Sequence, residues 1–375
     1  MPFCFKSSHM ASSISVMSLA IGLAFGEPTT QKSLAQTTPT RINGAGSTFA
    51  ERLYQSQGGW FNTYGVAVSP ATNPPGPVNS RVQFNYAAVF LPQTPPPTPT
   101  EPINPLLFAF GSTDAPLTTT ELQQYQQLVQ PFLGSVVQVP VVATAITLAY
   151  NRQGLNLPAA GFRLSRATYC GILNGQITNW NNSRITADNG GVRVSTNLPI
   201  RVVRRSDGSG STFILSNHLN TVCRGLSPSS LEWRQGVGKY GATAPAPSPA
   251  TQDVVYWPST FLSAQGSAGI VSTLNRTPGA IGYVDNPTRL GARPPRLPAA
   301  ILQNRSGNYV APTAAATSAA LTSASDLDSS PNIITATVPN PLQATAYPIV
   351  SVSYLLFPGR VSNPIASAGI KGFIN

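Results

Sequence analysis

Two rhythms of apolar spacing alternate along this chain. The run RVQFNYAAVFL (residues 81–91) alternates as a strand does, and ATAYPIVSVSYLLF (344–357) repeats that pattern late in the chain with β-branched residues. VVQVPVVATAITLAYN (136–151) reads as two strands separated at Pro140, because proline has no N–H to give to a ladder. LLFAFGSTDAPLTTTEL (106–122) predicts a buried strand, a turn and a helix start, with Thr118 to Thr120 ahead of Glu121. RATYCGILNGQITNW (166–180) resembles a short helix and turn, and PIRVVRRSDGSGSTFILSNHLN (199–220) reads as strand, loop and helix. SAGIVSTLNRTPGAIGYVD (267–285) reads as helix, glycine turn and strand.

Three stretches are less regular. RINGAGSTFAERLYQSQGGWFNTYG (41–65) opens with glycines and hydroxyls and then turns periodic. Its Leu53, Tyr54, Trp60, Phe61 and Tyr64 line one face of a helix bent near Gly58 and Gly59. PQTPPPTPTEPINP (92–105) has too many prolines for helix or ladder and predicts an exposed, extended loop. YVAPTAAATSAALTSASDLDSS (309–330) is low in complexity, yet its alanine spacing also suits a packed helix. Strands alternating with helices, with no internal repeat, point to an α/β fold with mainly parallel sheets.

Composition narrows the class. The 375 residues leave room for two domains with real cores, and 41% apolar content with only 9% charged residues describes a globular chain of low charge density. The net charge of +11 comes from 23 Lys and Arg against 12 Asp and Glu. The arginines are dispersed, with no basic run interleaved with aromatics, so the excess points to small anions or an anionic surface and not to nucleic acid. At the N-terminus Lys6 precedes the apolar run Ile14 to Phe25, which is short for a bilayer span. KSLAQ predicts cleavage near Ala35, with FGEP as another option, so residues 1–35 read as a signal peptide of a periplasmic or secreted protein. Cys4 lies before the apolar core and gives no support for a lipid anchor. Cleavage leaves Cys170 and Cys223, an even pair that favours one disulfide in an exported chain. Zinc is the competing reading, but two thiols and a single remaining histidine, His218, make a poor ligand set. The bridge would join YCGILNG to the helix after RRSDGSGSTF and stiffen the wall of that loop.

Three loops share one design. GAGSTF (44–49), FGSTDAPL (110–117) and RRSDGSGSTF (204–213) each put small and hydroxyl residues where an apolar lead-in gives way to a helix. The first N–H groups of a helix lack internal partners and carry the positive end of its dipole, so such loops can cradle an anion or simply cap a helix. Asp114, in the second loop, fits two roles. It can cap the following helix, or it can accept a hydrogen bond from a ligand that still bears a proton, which phosphate does near neutral pH and sulfate does not. Arg205 offers a planar fork of donors, and Asp207 two residues on can lock it; the bland alternative is a surface Arg–Asp pair contributing little. Arg204 alternates with Arg205 and points to the other face. Enzyme motifs are absent: the chain has no GxxxxGK[ST], HExxH, CxxC or GxSxG. A Ser/His/Asp arrangement would have to recruit His218, which on its predicted helix is more simply an exposed or satisfied residue.

In combination GAGSTF, FGSTDAPL, VVRRSDGSGSTF and PGAIGYV (278–284) resemble the periplasmic phosphate-binding proteins of ABC-type phosphate importers, from about Asn43 to the end of the chain. INGAGSTF, CGILNG and the cysteine after HLNTV are similar to the DING-type branch of that family, in which the corresponding cysteines pair. The resemblance implies a two-lobed type II periplasmic-binding-protein fold with phosphate in the cleft between the lobes. Residues 41–145 with 348–375 would form lobe 1 and residues 146–347 lobe 2, with ATAITLAYN and AYPIVSVSYLLF as a two-strand hinge. It further implies Thr48 and the Phe49 N–H in the first phosphate loop, Asp114 as the proton-sensing carboxylate, and Arg205, Ser209, Gly210 and Ser211 as donors. Ser211 replaces the family's usual threonine, and Asp207 would orient Arg205. No cofactor or metal is implied; the partners would be phosphate and the permease subunits of an importer, and the chain a monomer and not an enzyme. A secreted DING-type phosphatase is the alternative, as is a protein that keeps the fold without the ligand. The sequence departs from the family twice. Leu91 stands where a phosphate-binding serine is expected, with Ser112 and Thr113 as candidate replacements. The chain also stops at IKGFIN, where the family runs on, so the expectation is either an incomplete lobe 1 or a sequence that is a fragment.

Overall fold

The computed structural model describes residues 40–55, 82–88, 109–243, 253–292, 296–326 and 332–374. The proposed leader, the helical face at Trp60, Phe61 and Tyr64, Leu91 and the proline-rich stretch 92–105 lie outside these residues.

Eight strands make one sheet: β1 (Thr40–Gly46), β2 (Val82–Ala88), β3 (Phe110–Thr113), β4 (Val136–Tyr150), β6 (Arg201–Arg205), β9 (Leu262–Ala264), β10 (Ala280–Asp285) and β15 (Val350–Pro358). Shorter strands form satellites: β5 (Arg163–Leu164) with β11 (Ile301–Gln303) and β12 (Tyr309–Val310), β7 (Tyr240–Ala242) with β8 (Val254–Tyr256), and β13 (Ser325–Asp326) with β14 (Ala336–Thr337).

The large sheet runs in the order β2-β1-β3-β15-β4-β10-β6-β9. Its two flanks are parallel, β2 with β1 and β3 on one side and β10 with β6 and β9 on the other. The flanks are joined through the long antiparallel pair β15 and β4, which pairs outward with β3 and β10, again antiparallel. The expected parallel sheets are therefore present, but as two groups with an antiparallel seam. Parallel flanks need both faces covered, and β10 is buried along its whole length.

Pro140 does not break its strand, contrary to the sequence expectation. β4 runs unbroken from Val136 to Tyr150, and the register against β15 slips where Ser353 faces Val142 and Tyr354 faces Pro140. The bulge absorbs Val141 and lets a residue without an N–H sit in the ladder. The alanine-rich segment resolves as the helix Ala314–Leu321, capped by Thr313 and burying Ala316, Thr317 and Ala320 against β4.

Among the described residues, burial is divided among three apolar clusters. The largest gathers Leu148, Tyr169, Trp180, Leu219, Trp257 and Tyr347 with their neighbours. A second packs the helix Pro364–Ile374, through Ala366 and Ile370, onto Ile42, Tyr54, Phe110, Leu355 and Phe357. A third lies under the helix Gly266–Arg276, between Ile270, Leu274, Val203 and Val284. The disulfide joins Cys170 on the helix Arg166–Leu173 to Cys223 at the end of the helix Gly210–Val222, with Cα atoms 5.9 Å apart. Among the described residues no helix is long and apolar enough to cross a membrane.

Candidate functional site

In open α/β sheets a ligand crevice forms beyond the carboxyl ends of the parallel strands. Here β1 leads into Ser47 and Thr48, β3 into Asp114, β6, which ends at Arg205, into the loop up to Ser211, and β9 toward Gly266 and Ser267. Side chains and backbone from these four exits join in a ring.

The ring closes through named contacts. Ser47 caps the helix Thr48–Gln55 by accepting the Phe49 N–H at 3.1 Å, and its hydroxyl donates to Asp114 Oδ2 at 2.5 Å. Asp114 in turn lies against Gly210, where a Cβ would stand 2.5 Å from the Asp114 Cβ. Only glycine allows that approach between the second and third loops. Ser209 caps the helix Gly210–Val222, accepting the Ser211 N–H at 3.2 Å. Asp207 grips Arg205 through Nε at 2.8 Å and through Nη2, and also accepts the Gly266 N–H at 3.0 Å. Ser267 Oγ lies 3.2 Å from Thr48 Oγ1, returning the ring to the first loop.

All seven candidate ligand residues thus gather in one place, with Asp207 behind them. Arg205 and Asp207 are about 95% buried, so their pair is no surface salt bridge. Arg204 is also buried, and its Nη1 donates to the Arg205 carbonyl at 2.9 Å. Neither of the two candidate replacements for the serine absent at Leu91 is spare. Thr113 Oγ1 is engaged with Ala115, and Ser112 with Tyr54 and Ser353.

Asp114 does not cap the helix that follows it. Thr118, five residues past the end of β3, does so in a capping box with Glu121. The carboxyl of Asp114 is buried, and its Oδ1 has no hydrogen-bond partner among the described residues. Burial pushes its pKa up to about 6, against the lowering effect of the Ser47 bond and of the nearby Ser353 hydroxyl, which itself donates to the Thr113 carbonyl; the charge of Asp285 raises it and that of Arg205 lowers it.

Sequence reading missed several members. Gly266 and Ser267 supply the third helix start, where the second loop was expected to do so. Tyr283 reaches the site from β10: its hydroxyl lies 2.6 Å from Thr212 Oγ1 and accepts the Arg205 N–H at 3.1 Å, while its ring stacks on Trp257. No local signal marks these residues, because each acquires its role from a partner at least 59 positions away. His218 is neither exposed nor available. It is buried, with Tyr169 Oη 3.0 Å from Nε2 and Nδ1 2.6 Å from the Pro339 carbonyl.

Comparison with known proteins agrees with this architecture. The phosphate-binding protein PstS of Xylella fastidiosa (strain 9a5c) is 28% identical over 334 residues, covering 88% of this chain and 75% of that protein. Alkaline phosphatase L of Pseudomonas aeruginosa (strain UCBPP-PA14) is 27% identical, covering 98% of this chain and 85% of its own length. The solved phosphate-binding protein of Stenotrophomonas maltophilia matches with a TM-score of 0.61 at 21% identity, over 89% of this chain and 83% of that one. The high-affinity periplasmic phosphate-binding protein PfluDING, solved with phosphate at pH 8.5, gives 0.59 at 22% identity, over 89% and 84%. These likenesses establish the two-lobed α/β fold. The model of the PBP superfamily domain matches residues 104–375, and the chain belongs to that superfamily.

Proposed function

We propose that this chain captures inorganic phosphate in the ring of helix starts. The observation that carries the reading is Asp114 Oδ1, a buried acceptor without a donor, set among groups that otherwise favour anions. An anion alone would leave two acceptors facing each other, whereas a phosphate that keeps a proton satisfies both. The donors would be the Gly210 N–H, the hydroxyls of Thr48 and Ser209, and the Nη1 group of Arg205, which lies outside its pair with Asp207, joined by the Phe49 and Ser211 N–H groups once these turn from their cap bonds with Ser47 and Ser209 toward the ligand. Residues 41–145 with 348–375 would act as one lobe and 146–347 as the other, with β4 and β15 as the hinge. Export after loss of residues 1–35, a monomeric state and delivery to the permease of an ABC importer complete the reading; of these, export is in keeping with the periplasmic location in the name of PfluDING.

Calorimetry on the mature chain with phosphate, arsenate and sulfate tests it. Phosphate and arsenate bind and sulfate does not; Arg205→Ala weakens phosphate by roughly two orders of magnitude, as loss of a buried charged donor costs about 2–5 kcal/mol. Unchanged affinity in that variant rejects the site. A phosphatase reading has the likeness to alkaline phosphatase L in its favour. Turnover of a phosphate ester by the purified chain, abolished along with binding in Arg205→Ala, would establish it.

A further inference from the structure

Behind the ring, a second bridge crosses from the β3 side to the β6 side. Lys239 sits just before β7 with its side chain 7% exposed. Its carbonyl accepts the N–H of Ser209, the cap of the helix Gly210–Val222, at 2.8 Å. Its own N–H donates to Asp253 Oδ1 at 2.8 Å, and its ammonium lies 3.4 Å from Asp253 Oδ2. The same ammonium pairs with Glu121 Oε1. Glu121 belongs to the helix Thr119–Leu128, where its Oε2 accepts the N–H and hydroxyl of Thr118 at 2.8 and 2.9 Å.

That helix buries none of its residues, so apolar packing does little to fix it. It follows Asp114 by five residues. One unbroken path therefore runs from the Asp114 loop through Thr118, Glu121 and Lys239 to Ser209. Both ends of the path touch the ring, and the ion pair is where this path crosses between the two sides, which also meet directly where Asp114 lies against Gly210.

We propose that Lys239 is a positioning residue for the phosphate site, whose ion pair with Glu121 latches the Asp114 loop to the Ser209 helix start and slows release of the bound anion. This rests on the phosphate reading. Burial opposes the charge on both partners, yet their mutual attraction outweighs it, lowering the pKa of Glu121 and raising that of Lys239, so the pair is ionised at neutral pH. The pair touches no ligand; it acts through the two loops.

Release of radiolabelled phosphate, followed after dilution into unlabelled phosphate, tests the latch in the wild-type chain, Glu121→Gln, Lys239→Met and the double variant. Each single variant releases phosphate about tenfold faster with an association rate within about twofold, the pattern for an ion pair with a buried lysine and a part-exposed glutamate losing one partner. The double variant is no faster than the singles, and Lys239→Arg restores slow release. Wild-type release rates in Glu121→Gln, or effects that simply add in the double variant, overturn the latch. A merely structural role would lower the melting temperature of the empty protein and leave release unchanged. If the wild-type chain binds no phosphate, the functional reading falls first and the latch with it.

Discussion

At the scale of single residues, Asp114 is the group that, on the phosphate reading, would separate one tetrahedral anion from another. In the free protein its carboxyl titrates near 6 because burial disfavours the charge. Above that pH the ionised group can only accept, so it favours a ligand with a proton and repels sulfate. Below it the neutral acid can donate, and the objection to sulfate disappears. The ratio of phosphate to sulfate affinity is therefore expected to fall as pH drops from 7.5 to 5, and calorimetry at those two values checks it. Asp114→Asn, with a permanent donor, is expected to admit sulfate already at pH 7.5. Continued exclusion of sulfate in that variant would remove the proton-sensing role. Gly210 is the companion test. A methyl group there must displace Asp114, whose Cα and carbonyl carbon would lie at 3.0 Å. Gly210→Ala is expected to weaken phosphate binding more than tenfold, since the two loops must part, with thermal unfolding little changed because the contact joins two chain exits and not a core. A large drop in melting temperature would instead mark Gly210 as a folding residue.

At the scale of elements, the disulfide ties the helix that presents Ser209 to Ser211 onto the helix Arg166–Leu173, deep in the main cluster. The bridge closes a loop with a sequence separation of 53, for which chain entropy alone suggests about 4 kcal/mol of stabilisation. Replacing both cysteines with serine should lower the denaturation midpoint accordingly while the folded variant still binds phosphate within a fewfold of wild type; equal stability would show that the unfolded chain gains nothing from opening the loop. The elements also show what sequence could reveal. GAGSTF and RRSDGSGSTF were legible because a glycine next to a hydroxyl before a helix is a local chemical requirement. The cysteine pair was legible for the same economy of residues. Gly266 and Ser267 were not, since their neighbours spell an ordinary helix start and their meaning comes from Asp207 and Thr48. Pro140 misled because the bulge that accommodates it is made with β15, about 200 positions later. Lys239 and Glu121 were invisible for a similar reason, being 118 positions apart.

At the scale of the whole molecule, His218 makes the stability of the fold depend on acid. It lies in the interior between Tyr169 and the Pro339 carbonyl. A carbonyl can only accept, so Nδ1 carries the hydrogen and Nε2 receives the Tyr169 hydroxyl, which describes a neutral ring. Burial pushes the His218 pKa down to about 4, against the raising effect of the Pro339 bond and with a lesser lowering from Arg166. An unfolded histidine titrates near 6.5, so unfolding takes up a proton between these values. The stability this ring contributes is complete above about pH 6.5 and is lost as pH falls toward 4, at about 1.4 kcal/mol per unit and roughly 3 kcal/mol in all. Asp114 works in the opposite sense over the same window: its raised pKa means that protonation near pH 6 stabilises the folded form as pH falls. A single acid titration of stability would mix the two. The difference between wild type and His218→Gln isolates the ring, because the Asp114 contribution is common to both and an amide can still donate to Pro339 and accept from Tyr169. Urea midpoints of the two proteins, measured without phosphate, should keep a constant separation above pH 7, and the wild type should lose ground steadily between pH 6.5 and 4. Parallel curves across that range would mean that His218 takes up its proton without cost, and that the ring is not held neutral by the core.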